Sequence, residues 1–336
     1  MSPYIDYLRY VSQILNGFRV SHERALAHIR EQDTAPYLDG NRPLRVLDLA
    51  NGRLRPQYTL LKAGGHQIYG IDLVNRPRLS WVDVAYRIAR QLFRKRLVLQ
   101  VETTAGQTLV CGDVGGLPFP DNTFDLATSV AAFEHFLDVP TVVAELHRVM
   151  RPGGLVWVYI HLFTSPSGGH NLSLTEIPLR TIPAGADPWD HLRRRRLSFD
   201  VPLNEWRRDQ YLETFASHFQ IVKDYCVMRE GEELLTAALE AELSAYSRDE
   251  LTCGAYVIMA QKVPQQTAAA INGTPGERGD VPCLAAIGSG RCHSRPNGVV
   301  AQTSGVVESA TLDCQLALGS GSPGHWSSPV QPPGQR

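Results

Sequence analysis

Four short stretches of this chain hold the residue types from which a nucleotide-like ligand could be gripped, and each sits where an apolar run ends. "RVLDLANGRLRP" (45–56) runs into Asp48 and then a loop whose one glycine is Gly52. "IYGIDL" (68–73) closes on Asp72, roughly twenty residues further on, the separation at which an acidic side chain accepts from ribose hydroxyls. "CGDVGGLPFPDNTFD" (111–125) places Asp113, able to accept from an amino group, beside the backbone N–H of Val114. "SVAAFEHF" (129–136) starts at Ser129 and carries Glu134 and His135. Asp48 suits an ammonium group or the ordering of its own loop. One Asp at a strand end is more often a turn former or a helix cap. Four chemistry-bearing ends in succession make a much stronger pattern.

Those groups converge only if the apolar runs are strands of one sheet. Strands are expected at 45–49, 67–71, 108–111, 125–130, 155–162, 219–228 and 254–262, separated by helices near 56–63, 81–96, 140–150, 203–218 and 230–245. Alternation of this kind predicts an α/β, Rossmann-like, seven-stranded sheet, mostly parallel, with helices on both faces and the last strand antiparallel. Ligands of such sheets bind beyond the carboxyl ends of the strands, near the reversal of strand order.

The organisation expected is a helical N-terminal segment (1–40) and one α/β domain (41–263) containing a substrate-covering insertion (about 164–204). Beyond it, Gly, Pro, Ser and Gln dominate 264–336, with Trp326 as the lone aromatic residue. Such a composition buries too little apolar surface to offset the entropy of ordering, so a disordered tail is expected. Lys and Arg total 33 against 34 Asp and Glu, a net charge of -1 with no overall basic footprint, so no nucleic acid partner is expected. The six cysteines follow no zinc spacing, and no metal is assigned. With no run near the roughly 20 apolar residues of a membrane span and no signal-peptide core, a cytoplasmic protein is expected.

Taken together, "VLDLANG", "GIDL", "GDVGGLPFPDNTFDLATSVAAFEHFLD" and "ELHRVMRPGG" resemble the class I S-adenosylmethionine-dependent methyltransferases over roughly 44–262. The resemblance implies S-adenosylmethionine as cofactor. It places the loop Asp48, Ala50, Asn51 and Gly52 around the methionine part, Asp72 and Leu73 at the ribose, Asp113 and Val114 at the adenine, and Ser129 as a further contact. Where that family usually reads Asp-x-Gly-x-Gly-x-Gly, this chain reads Asp48-Leu49-Ala50-Asn51-Gly52-Arg53-Leu54. Ala50 adds one methyl group, a small intrusion at negative φ, and Leu54 replaces a glycine that lets helix and strand pack closely. A sulfonium cofactor has no pyrophosphate to cradle, so the loop is expected to remain competent. A dinucleotide dehydrogenase would need G-x-G-x-x-G, of which one glycine is present. The alternative from another class is a non-catalytic binding or scaffold module that keeps the fold.

On the acceptor side, His135 and His170 are the candidate catalytic residues, able to take a proton from a hydroxyl. His161 is as readily a wall residue. Asp190, His191 and the run Arg193–Arg196 lie in the insertion, where they could meet an anionic or sugar-like acceptor, although an arginine run is usually a solvated face. His170, Asp190 and His191 match no recognised metal spacing. The expected acceptor is a small molecule or glycan, methylated at oxygen, with nitrogen as the alternative. The basic amphipathic helix 81–96, with Trp81, Val84, Ala85, Ile88 and Leu92 on one stripe, is expected to pack on its own domain; peripheral membrane contact is the alternative.

Overall fold

The computed structural model describes residues 17–75, 81–98, 108–170, 187–196 and 201–263, with Ser12, Ile14, Leu15 and Phe199 besides. The expected tail at 264–336 and residues 171–186, 197, 198 and 200 of the expected insertion lie outside the described residues.

The strands are β1 (Arg45–Leu49), β2 (Gln67–Ile71), β3 (Thr108–Val110), β4 (Phe124–Val130), β5 (Met150–His161), β6 (Gln220–Arg229) and β7 (Cys253–Gln261). They form one sheet in the order β3-β2-β1-β4-β5-β7-β6. The first five are mutually parallel, and β7 runs antiparallel between β5 and β6. The mostly parallel seven-stranded sheet with an antiparallel final strand is therefore as expected. β1, β4 and β7 are buried almost end to end because both faces of the sheet are covered. Leu47, Leu49, Val156 and Val158 enter the core on one face, while Val46, Leu126, Trp157 and Val257 enter it on the other.

The order reverses between β1 and β4, since β1 pairs with β2 on one side and β4 on the other. That reversal opens a crevice at the carboxyl ends, where all four stretches terminate. Helix α1 (Phe18–Thr34) closes the face beneath it. Its Asp33 accepts from Trp157 Nε1 at 3.0 Å and from Tyr225 Oη at 2.6 Å, clipping β5 and β6 to the N-terminal segment.

Helix α2 (Pro56–Ala63) follows the first loop, and α3 is Trp81–Leu97. The expected register of α3 does not hold. Val84, Ile88 and Leu92 are exposed, whereas Tyr86, Ala89 and Phe93 are buried against Leu54 and Ile14. Tyr86 and Phe93 join the cluster around Leu54 and Ile14, so the helix turns these aromatics inward. After α4 (Val139–Val149), the short α5 (Asp190–Arg193) and α6 (Arg208–Ala216), the single helix expected at 230–245 is broken up. Thr236 caps a new helix α7 (Ala237–Glu242), and the Ser247–Glu250 capping box starts α8 (Arg248–Thr252). Two hydroxyl caps within eleven positions restart the chain rather than continue it. Among the described residues no helix is long and apolar enough to cross a membrane.

Candidate functional site

On the cofactor side, β1 delivers Asp48 into a fully buried position. Burial pushes its carboxyl up to about 7; Arg30 opposes that shift and Asp72 adds to it. Its Oδ2 has no partner among the described residues. Ala50 lies at φ 49, so the condition of a negative φ under which its methyl group would be a small intrusion is not met: the methyl group sits in the left-handed region, at a cost of about 1 kcal/mol. What holds it there is its N–H, which bonds to Ile71 O at 2.8 Å and fixes the loop to β2. Asn51 is buried against β2, and a Cβ on Gly70 would come within 2.2 Å of its Nδ2. Gly70 is thus the glycine that lets the loop lie on the strand, a task the loop's own sequence does not reveal.

Asp72 accepts from Gly52 N–H through Oδ2 and from Val74 N–H through Oδ1, both at 2.8 Å. Burial raises its pKa, and these two amides oppose the rise. Each oxygen keeps a lone pair, so the carboxylate can order the loop and still accept hydroxyls. Beside it, Leu73 is 42% exposed, an apolar surface at the mouth of the crevice. Asp113 is exposed and closes a turn through Gly115 N–H at 2.9 Å, while Val114 is buried in the core. Ser129 is fully buried, its hydroxyl directed at Leu49 O at 3.4 Å. Asn75, which the sequence did not single out, donates to Val110 O at 2.9 Å and accepts from Arg55 at 3.1 Å, tying the ends of β2 and β3 to the first loop.

An S-adenosylmethionine head group fits these residues. Asp48 Oδ2 and both amide atoms of Asn51 are buried without partners among the described residues. Buried polar atoms are normally paired, so three orphans around one loop mark a place made for a polar ligand.

On the acceptor side, five residues from distant parts of the chain form one connected group. His135, in a short 3₁₀ turn after β4, bonds through Nδ1 to Pro202 O at 2.8 Å. Since a carbonyl can only accept, Nδ1 carries the hydrogen and Nε2 is left bare. Burial pushes this imidazole down to about 4. His161 ends β5. Its Nε2 lies 2.6 Å from Ser167 Oγ, and its Nδ1 lies 2.7 Å from His170 Nε2. The Ser167 hydroxyl donates to Glu230 Oε1 at 2.5 Å.

These contacts fix the tautomers in turn. Having given its one hydrogen to Glu230, Ser167 accepts from His161 Nε2–H. His161 Nδ1 is then a lone pair and accepts from His170 Nε2–H. His170 Nδ1 is left as a bare lone pair, buried, with no partner among the described residues. His170 is held well below the ordinary histidine value, first by burial and then by the neighbouring imidazoles.

The glycines before His170 are needed for close packing: a Cβ on Gly168 would meet Leu162 O and Phe163 O at 2.3 Å, so that position requires close backbone approach. His161 was weighed as a wall residue and proves to be the middle of the chain of bonds. Ser167 and Glu230 were missed, because Glu230 lies 63 positions from Ser167 and no local pattern links them. His191 bonds to Phe163 O at 2.7 Å, and Asp190 accepts from Arg196 N–H at 2.8 Å. Arg193 pairs with Glu242, Arg194 with Asp187 and Arg195 with Glu205, so the arginine run is an ion-paired surface.

Residues 47–158 match a protein-family model described as "Methyltransferase domain". Among curated proteins, the chain is 31% identical over 161 residues to the sterol 24-C-methyltransferase ERG6A of Gibberella zeae, covering 47% of this chain and 36% of that protein. It is 36% identical over 111 residues to the 2-phytyl-1,4-naphtoquinone methyltransferase of Synechococcus elongatus, covering 32% and 42%. The chain therefore spans less than half the length of these relatives. Among solved structures it is similar to an S-adenosylmethionine-dependent methyltransferase from Mesorhizobium loti, with TM-score 0.42, 18% identity, and 69% and 96% of the two chains covered. It is also similar to the [4+2]-cyclase SpnF, with TM-score 0.42, 23% identity, and 72% and 80% covered.

Proposed function

Taking as premise that residues 47–158 are a methyltransferase domain of the class I S-adenosylmethionine-dependent type, we propose that this chain transfers a methyl group to oxygen on a small-molecule or sugar-like acceptor. The observation that carries the reading is the joint arrangement of Asp72 and the first loop: Gly52 N–H bonds to Asp72 at 2.8 Å while Asp48 and Asn51 keep unpartnered buried atoms beside it. Bound there, the cofactor supplies a methyl group already activated on a sulfonium, so the protein's task is alignment. Asp72 and Leu73 receive the ribose, Asp113 and Val114 the adenine edge, and Asp48 with Ala50, Asn51 and Gly52 the amino acid end. Ser129 supports the loop from beneath through Leu49.

His135 and His170 face the acceptor. Both present an imidazole lone pair with no partner among the described residues, the form that accepts a proton from a hydroxyl. The relatives named above act on a sterol and on a naphthoquinone, which supports a small organic acceptor. Asp187, Glu205 and Glu242 neutralise the arginine run, so the run gives no support to an anionic acceptor.

Calorimetric titration of S-adenosylhomocysteine into the full chain tests the cofactor reading, with Asp72→Ala as control. Micromolar binding that the variant loses supports it; incubation with methyl-labelled cofactor and a panel of phenols, hydroxyquinones and sugars then sorts the acceptor. No binding to a folded chain favours the scaffold alternative, for which the strained Ala50 and the substitution at Leu54 speak.

A further inference from the structure

We propose that Glu134, His135 and His170 form a binding site for one divalent transition ion of the zinc class, which deepens the reading above by stating how the acceptor oxygen is activated. Each of the three offers one ligand atom, and those atoms lie within 4.8 Å of one another. Glu134 and His170 are buried, at 1% and 2% exposure. Two imidazoles and one carboxylate are the donor set of catalytic zinc sites, and they leave positions open for a substrate oxygen. An ion held at about 2.1 Å from each would draw the three together by roughly an ångström.

Proximity alone would not distinguish a metal site from a packed polar cluster. The hydrogen bonds behind the ligands do. A metal-binding histidine needs one nitrogen as a bare lone pair and the other committed to a partner that fixes the tautomer. His135 meets this with Nδ1 on Pro202 O, leaving Nε2. His170 meets it through Glu230, Ser167 and His161, each step of which points its hydrogen away from His170 Nδ1. Two independent outer contacts bare one nitrogen on each of two neighbouring imidazoles, whose ring centroids are 5.0 Å apart. Both are buried and unpartnered among the described residues, a costly arrangement for an imidazole unless something occupies it. Ser167, His161 and Glu230 are positioning residues in this scheme, since they act through His170 alone.

An ion there would occupy both lone pairs, so it would replace the imidazoles as the group that activates the acceptor: it would polarise the hydroxyl and lower its pKa, with the released proton passing to solvent. The trio singled out on sequence, His170 with Asp190 and His191, does not compete. His191 bonds to Phe163 O and Asp190 to Arg196 N–H, so both are committed elsewhere.

The test uses the full chain without an affinity tag, stripped with a chelator and titrated with Co(II), followed by competition with Zn(II). One equivalent of tightly bound Co(II) is expected, with the visible bands of nitrogen and oxygen ligation. His170→Ala and His135→Ala should abolish it while S-adenosylhomocysteine binding persists, which shows that each variant is folded. Should either fail to fold, Ser167→Ala serves instead: it disturbs only the outer contact and should weaken the ion 10–100-fold. Three results would overturn the proposal. They are no stoichiometric binding by a chain that still binds S-adenosylhomocysteine, binding retained in the histidine variants, and an intense thiolate-to-cobalt band placing the ion on cysteines. Failure of S-adenosylhomocysteine itself to bind would count against the methyltransferase reading and leave the metal result standing separately.

Discussion

The two halves of the crevice are made of opposite chemistry. At the ends of β1 to β3 the working groups are carboxylates: Asp72 and Asp113 are held by backbone amides of neighbouring loops, and Asp48 is fully buried. At the ends of β4 and β5 they are imidazoles: His135 is held by the Pro202 carbonyl, and His161 and His170 by each other and by Ser167, which is itself tied to the distant Glu230. Burial acts on both and in opposite senses, because it disfavours whichever form is charged. It raises Asp48 and Asp72 and lowers His135, His170 and His191. One half is therefore relaxed by acid and the other is stressed by it. A cationic cofactor belongs with the first, and a proton or metal acceptor with the second.

The sharpest way to break this contrast is to put back the glycine that the first loop lacks. Leu54 is almost fully buried against Tyr86, Ala89 and Phe93 of α3. Leu54→Gly should therefore cost about 4 kcal/mol, as large-to-small core changes do, and show as a large fall in the urea midpoint. A neutral or stabilising outcome would mean that the loop is not anchored through α3.

The opposed pH responses come next. His191 falls from 6.5 to about 4 in the folded chain, so its contribution is full above about pH 6.5 and is lost as pH falls towards about 4. Loss of roughly 3 kcal/mol follows from that shift. Asp48 runs the other way: its contribution is full below about pH 4 and is lost as pH rises through about 7. His191→Gln keeps a donor for Phe163 O and should flatten the fall in stability between pH 7 and pH 5, read by urea unfolding at each pH. An unchanged slope would remove His191 from the account.

Asp72→Ala should weaken S-adenosylhomocysteine by about 100-fold, close to 3 kcal/mol, since Gly52 and Val74 N–H both lose their acceptor along with the ribose. Cobalt binding at the other end of the crevice should not change, and loss of both together would show the halves to be coupled. The smallest effect is Ala50→Gly. Removing the methyl group at φ 49 should gain under about 1 kcal/mol, seen as a rise of ~2 °C in Tm with slightly tighter cofactor binding.

The cofactor half was legible because its geometry is local. Each carboxylate sits at the end of its own strand, and the order of strands then brings the ends together. The loop's conformation was less legible: nothing local sets the sign of φ at Ala50, and the glycine that makes room for Asn51 is Gly70 on the next strand. The acceptor half could be named only in part. His135 and His170 stood out as titratable residues beside the fourth and fifth strands, but which nitrogen of each is bare depends on Pro202 and Glu230. Likewise the register of α3 turned on Tyr86 and Phe93 finding Leu54 and Ile14, a choice between two apolar stripes that periodicity leaves open.

By itself, then, the sequence determined the alternation of strands and helices, the seven-stranded sheet and the acidic strand ends, because period and local turn chemistry act over a few residues. Only the tertiary structure decided the protonation pattern of the histidines and the gathering of Glu134, His135 and His170. Burial and hydrogen-bond direction belong to the packed molecule. A side chain's own letter does not record which partner, 63 positions away, will hold its hydrogen.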